Sequence, residues 1–127
     1  MKRIIRISVE NLTWEGELFD TECGRAIWNS LPISTTLNTW GDEIYFTIPV
    51  HQELDETAKE VVDIGDLGYW PQGSAFCIFF GPTPISEGNE IRPASAVNII
   101  GKVIDNPVTF RNVSSGSKIT LERKEDA

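Results

Sequence analysis

Histidine occurs once in the 127 residues, methionine once and cysteine twice. Nucleophilic hydrolysis commonly needs a histidine base beside the nucleophile. His51 stands in an acidic stretch and no G-x-S-x-G elbow occurs, so no hydrolytic triad is predicted. Bases are also scarce: eleven Lys and Arg against nineteen Asp and Glu leave a net charge of −8. Such a field repels phosphate backbones and anionic lipid, which argues against nucleic acid and membrane surfaces as partners. Long apolar runs are missing too. The longest, Ala75 to Phe80, falls far short of the ~20 residues of a membrane helix. No apolar stretch follows the basic Lys2 to Arg6 segment, so no signal peptide is read and the cytoplasm is the expected compartment. There Cys23 and Cys77 are expected as free, buried thiols.

Motifs for bound groups are equally sparse. Gly65, Gly68 and Gly73 fit neither G-x-G-x-x-G nor G-K-[ST], so no phosphate cradle is read and no cofactor is implied. His51, Glu53, Asp55 and Glu56 lie close in sequence but lack the spacing of a zinc or calcium site. They read as a solvated loop rather than metal ligands. Asp63 and Asp66 straddle Gly65 and could pair as acids, although turn chemistry accounts for them more simply.

What the sequence does contain is period-two alternation. With 40% hydrophobic and 24% charged residues, the composition is that of an ordinary folded chain, read as a single domain over 1–127. Arg3 to Val9 alternates Ile and Val with polar residues, and Leu12 to Phe19 resumes after Asn11, predicting a hairpin. Asp20 or Thr21 then caps a short helix whose apolar residues, Cys23, Ala26, Ile27 and Leu31, follow at spacings of three and four. Pro32 ends it. Ile33 to Trp40 and Glu43 to Ile48 flank Gly41-Asp42 as a second hairpin. Further strands are read over Val61 to Ile64, Leu67 to Trp70, Ser74 to Phe80, Ala96 to Ile104 and Ile119 to Arg123, with a weaker one over Val108 to Phe110. The Ser74 to Phe80 run is nearly all apolar, which suits a central strand buried on both faces. The fold class is mainly β. About eight short strands in one sheet would expose edges unless the sheet closed, so a barrel is expected.

Tyr45-Phe46 and Tyr69-Trp70-Pro71 lie at strand ends beside turns. Such aromatics suit a peptide or small-ligand groove, and equally the filling of a small core.

The run Gly65 to Pro84, GDLGYWPQGSAFCIFFGPTP, resembles the signature of a small prokaryotic family of cyclophilin-like proteins of unknown function. Trp40 to Phe46 and Arg92 to Val103 resemble two further blocks of that family. The resemblance implies a closed eight-stranded β-barrel with one or two short helices. True cyclophilins are more distant, similar at Glu17-Leu18-Phe19, at Gly73-Ser74-Ala75-Phe76 and at Gly101-Lys102-Val103. They are prolyl isomerases whose catalysis depends on an arginine in an F-H-R-x-x-P block. Here Ile44-Tyr45-Phe46-Thr47-Ile48-Pro49 matches that block and places Phe46 at the arginine.

That difference bears on chemistry. Rotation about a peptide bond faces a resonance barrier of ~18–20 kcal/mol. A guanidinium aimed at the prolyl amide lowers it by stabilising the twisted state, and phenylalanine has no donor with which to do so. The other cyclophilin groove residues also lack counterparts: Leu54, Cys77, Arg92 and Val97 fall nearest. The resemblance therefore implies a non-catalytic module for a peptide or small molecule, with Phe46, Tyr69, Trp70 and Arg92 as groove residues. A weak prolyl isomerase is one alternative. Another is an assembly subunit, a homo-oligomer or a protein partner's docking piece, that buries an aromatic patch.

Overall fold

Alternating burial starts at the first strand. In the computed structural model, which describes residues 2–124, Ile5, Ile7 and Val9 of β1 (Arg3–Val9) are buried while Arg6 is exposed. β2 (Leu12–Leu18) returns antiparallel after a tight turn in which Glu10 takes a left-handed conformation, pairing Ile7 with Trp14. Helix α1 (Glu22–Ser30) follows, its first turn capped by the Thr21 hydroxyl, which accepts from the Gly24 amide at 3.0 Å. Gly24 looks like a weak point in this helix, but a Cβ there would collide with the Phe19 carbonyl. The close approach of helix to strand end requires glycine.

The remaining strands are β3 (Ile33–Thr36), β4 (Asn38–Thr39), β5 (Glu43–Thr47), β6 (Asp66–Trp70), β7 (Ala75–Phe79), β8 (Asn98–Val103) and β9 (Lys118–Arg123). They form one antiparallel sheet in the order β3-β9-β1-β2-β8-β6-β7-β5-β4. Its two outermost strands, β3 and β4, are consecutive in the chain and separated by Leu37 alone. The Leu37 amide donates to the Ser117 carbonyl at 2.9 Å, and its own carbonyl accepts from the Gly116 amide at 3.0 Å. One residue thus carries the chain from one edge of the sheet to the other, which curls it into a nearly closed barrel and leaves little free edge.

The sheet has nine strands rather than about eight, and Ile33 to Trp40 breaks in two at Leu37. Two other segments also differ from the sequence pattern. Val61 to Ile64 contributes only an isolated bridge between Val62 and Ile91. Val108 to Phe110 lies within a 3₁₀ segment, Pro107–Asn112, rather than a strand. Packing explains this second difference: Phe110 is fully buried, stacks on Trp14 at 4.0 Å between centroids, and Trp14 Nε1 donates to Thr109 Oγ1 at 2.7 Å. A short helical turn can cover the barrel end in a way that an extended strand cannot.

All five residues of β7 are buried, as its sequence suggests. Phe76 and Ile78 belong to the barrel interior, whereas Ala75, Cys77 and Phe79 join a second apolar cluster with Val62, Ile91 and Val97 on the outside. The long connections after β5 and β7 cross this outer face and cover it. No helix among the described residues is long and apolar enough to cross a membrane.

Candidate functional site

The outer face of β5, β6 and β7 carries the side chains that alternate with the barrel core. Ile44 and Phe46 of β5 point inward, so Glu43 and Tyr45 fall on the opposite face. Tyr45 is paired with Cys77 of β7, and Cys77 with Gly68 of β6. Trp70 joins the same outer cluster, while its neighbour Tyr69 is inside. Val97 packs close over Gly68, where a Cβ would lie 3.0 Å from the valine methyl and from the Phe79 ring. Backbone bonds between Lys59 and Val97, at 2.9 and 3.1 Å, hold this covering segment in place.

Between these strands and their cover lies a cavity of about 180 Å³. Trp40, Tyr45 and Trp70 line it together with Glu43 and Cys77, and the segment Pro93, Ala94 and Val97 forms its outer wall. Trp40 reaches it because the turn before β5 is closed by the Trp40 amide donating to the Glu43 carbonyl at 2.9 Å. Trp70 is fixed by its indole N–H, which donates to Ser95 Oγ at 2.6 Å.

Glu43 sets the character of this cavity. It is only 5% exposed, and its Oε1 is sealed from solvent without a hydrogen-bond partner. Burial pushes its carboxyl up to about 7, with a hydrogen bond from the neighbouring Cys77 thiol acting in the opposite direction. The Cys77 thiol is itself raised well above its ordinary value, first by burial and then by the nearby carboxylate. Cys23, on the buried face of α1, is pushed up to about 11 by burial. Both thiols are free and buried, so neither is poised as a thiolate nucleophile.

The residues singled out in the sequence fall in different places. Phe46 is fully buried inside the barrel, its ring 5.4 Å from that of Phe76, and so does not reach the outer groove. Tyr69 is likewise fully buried. Its hydroxyl donates to the Val50 carbonyl at 2.5 Å and accepts from the Gln52 amide at 3.2 Å, tying the connection after β5 to the barrel. Trp70 lines the cavity. Arg92 does not: its Nε lies 2.6 Å from Glu90 Oε2, and its backbone is bound by Ser86 and Thr83. The next two residues, Pro93 and Ala94, are the ones that reach the cavity. Adjacent residues of a strand face opposite ways, so Tyr69 and Trp70 cannot share one groove, nor can Tyr45 and Phe46. The same alternation could have identified Tyr45. Glu43 carries no such signal, because an acid at the first position of a strand beside a turn is ordinarily solvated.

The other candidate groups have ordinary surroundings. His51 Nδ1 lies 3.0 Å from Ser74 Oγ in an exposed position. The Asp63 amide donates to Asp66 Oδ2 at 2.9 Å, a turn-closing bond rather than a carboxyl pair. Among the described residues, no three His, Cys, Asp or Glu side chains gather as metal ligands.

Comparison with known proteins agrees with this architecture. The cyclophilin-like family profile matches residues 3–122. A hypothetical protein from Archaeoglobus fulgidus, known from its solution structure, is similar at 46% sequence identity with a TM-score of 0.82. The similarity covers 97% of this chain and 95% of that one. No curated protein matches.

Proposed function

This chain belongs to the cyclophilin-like family, and we propose that it is a small-molecule-binding module that acts without turnover. The observation that carries the reading is the cavity on the outer barrel face, lined by Trp40, Tyr45 and Trp70 together with the buried acid Glu43. Cavities that bind small ligands are largely apolar with a few placed polar groups, and this lining has that composition. Size favours a small molecule over a peptide chain. An apolar cavity of ~150 Å³ accommodates benzene, so about 180 Å³ admits one ring or one compact branched group.

Binding without catalysis follows from the side chains at hand. The ionisable groups lining the cavity are a carboxyl, a phenol and a raised thiol, and none supplies the positive charge that weakens prolyl amide resonance. A screen of compact aromatic and branched aliphatic compounds by thermal shift tests the proposal. Hits should lose their stabilising effect in Trp70→Ala and Tyr45→Ala. Hits retained in full by both variants would remove the cavity from consideration.

A further inference from the structure

We infer that the ligand of this cavity is a small organic cation, an alkylated ammonium head whose charge sits against Glu43 and whose alkyl groups pack against Trp40, Tyr45 and Trp70. The inference rests on the reading of the cavity as a binding site and adds the chemistry of what enters it. Three features of the lining favour a cation. Glu43 lines the cavity, its Oε1 is buried without a hydrogen-bond partner, and its polar neighbour is the weakly donating Cys77 thiol; a carboxyl so poorly paired is better satisfied by an incoming positive or donor group. Three aromatic side chains line the same small space, and ring faces attract ammonium groups through their quadrupoles. A cage of aromatic rings with one acid is also poorly suited to an anion, which the net charge of −8 would repel from a distance.

Among the described residues, none that lines the cavity already supplies the missing charge. From β7, the group facing Glu43 is the Cys77 thiol; from β5 itself it is the Tyr45 phenol. In the turn before β5, the Asp42 carboxylate is engaged by Arg111 at 2.9 Å. The covering wall of Pro93, Ala94 and Val97 brings no ionisable side chain. With only protein groups around it the carboxyl titrates at about 7, so entry of a cation expels a proton from the fraction that is protonated.

Choline and its uncharged isostere 3,3-dimethylbutan-1-ol separate charge from shape. Titration calorimetry of the whole chain should show choline binding more tightly than the alcohol at pH 8. Its affinity should rise about tenfold from pH 6 to pH 8, as ionisation of a group titrating at about 7 requires. The alcohol should show no such rise. In Glu43→Gln, choline should bind at least tenfold more weakly while the alcohol is retained. The wild-type pH profile carries the same test without any substitution, should the variant fold poorly. Binding of the alcohol but not of choline would overturn the cation while leaving the cavity as a site. Choline affinity that is indifferent to pH would also overturn it. Failure of both probes, and of every compact compound in the screen, would remove the cavity itself.

Discussion

On the inner side of β5, Phe46 stacks against Phe76 in a space closed to solvent; three residues earlier, on the outer side, Glu43 is almost as buried but has an oxygen with no partner. The two sides of one strand treat polar groups in opposite ways. Inside the barrel, the hydroxyl of Tyr69 is satisfied twice, by the Val50 carbonyl and the Gln52 amide. Outside, one oxygen of the Glu43 carboxyl is sealed away without a hydrogen-bond partner. A protein selected for stability alone would replace such a group with an apolar one, since a buried unpaired acid destabilises the fold. The inner side therefore holds the barrel together, and the outer side keeps a defect that a ligand can repair.

Substitutions on each side can break or sharpen that contrast. The largest effect is expected inside: Phe46→Ala should lower the unfolding free energy by ~3–5 kcal/mol, read from urea denaturation. A small loss there, accompanied by loss of ligand binding, would place Phe46 on the wrong side of the comparison. Next comes Glu43, whose carboxyl moves from 4.5 to about 7 on folding. The folded state then holds the proton more tightly, so the stability from this group is fully present below about 4.5 and is lost as pH rises through about 7. The loss amounts to about 3 kcal/mol. Glu43→Gln should therefore match the wild type near pH 4 and exceed its stability at pH 8. Equal stability of the two across that range would mean that the carboxyl is solvated.

Tyr69→Phe removes the hydroxyl that satisfies the Val50 carbonyl and the Gln52 amide. It should cost ~1–3 kcal/mol in the same denaturation assay, without changing the affinity of a cavity ligand. The smallest effect belongs to Arg92→Ala. Its guanidinium is paired with Glu90 outside the cavity, so the thermal shift produced by a bound ligand should be unaltered. A lost shift would bring the loop cation back into the site.

Period-two patterning made most of the barrel legible. The β1–β2 hairpin follows from the alternating Ile and Val of Arg3–Val9, and the doubly buried β7 from its continuous apolar run. The helix was legible from Thr21 and the spaced apolar residues after it. Where propensity failed, long-range packing had decided the outcome. Pro107–Asn112 turns as a 3₁₀ segment because Phe110 must reach Trp14, a partner almost a hundred residues away. Of the aromatic residues the sequence points to, Trp70 lines the cavity, while Phe46 and Tyr69 belong to adjacent aromatic pairs whose composition does not tell which member faces inward. Glu43 was overlooked because its burial comes from segments distant in sequence, including the wall near Val97.

The chain's own sequence determined the strands, the helix and the family resemblance, because alternation, capping and breakers act over a few neighbouring residues. The blocks that carry the resemblance are equally local. Tertiary structure alone decided that Leu37 would join the two edges of the sheet, and that an acid beside a turn would end buried in the lining of a cavity shared with three aromatic residues. Burial and pairing depend on which remote segments meet, and no local pattern records that meeting.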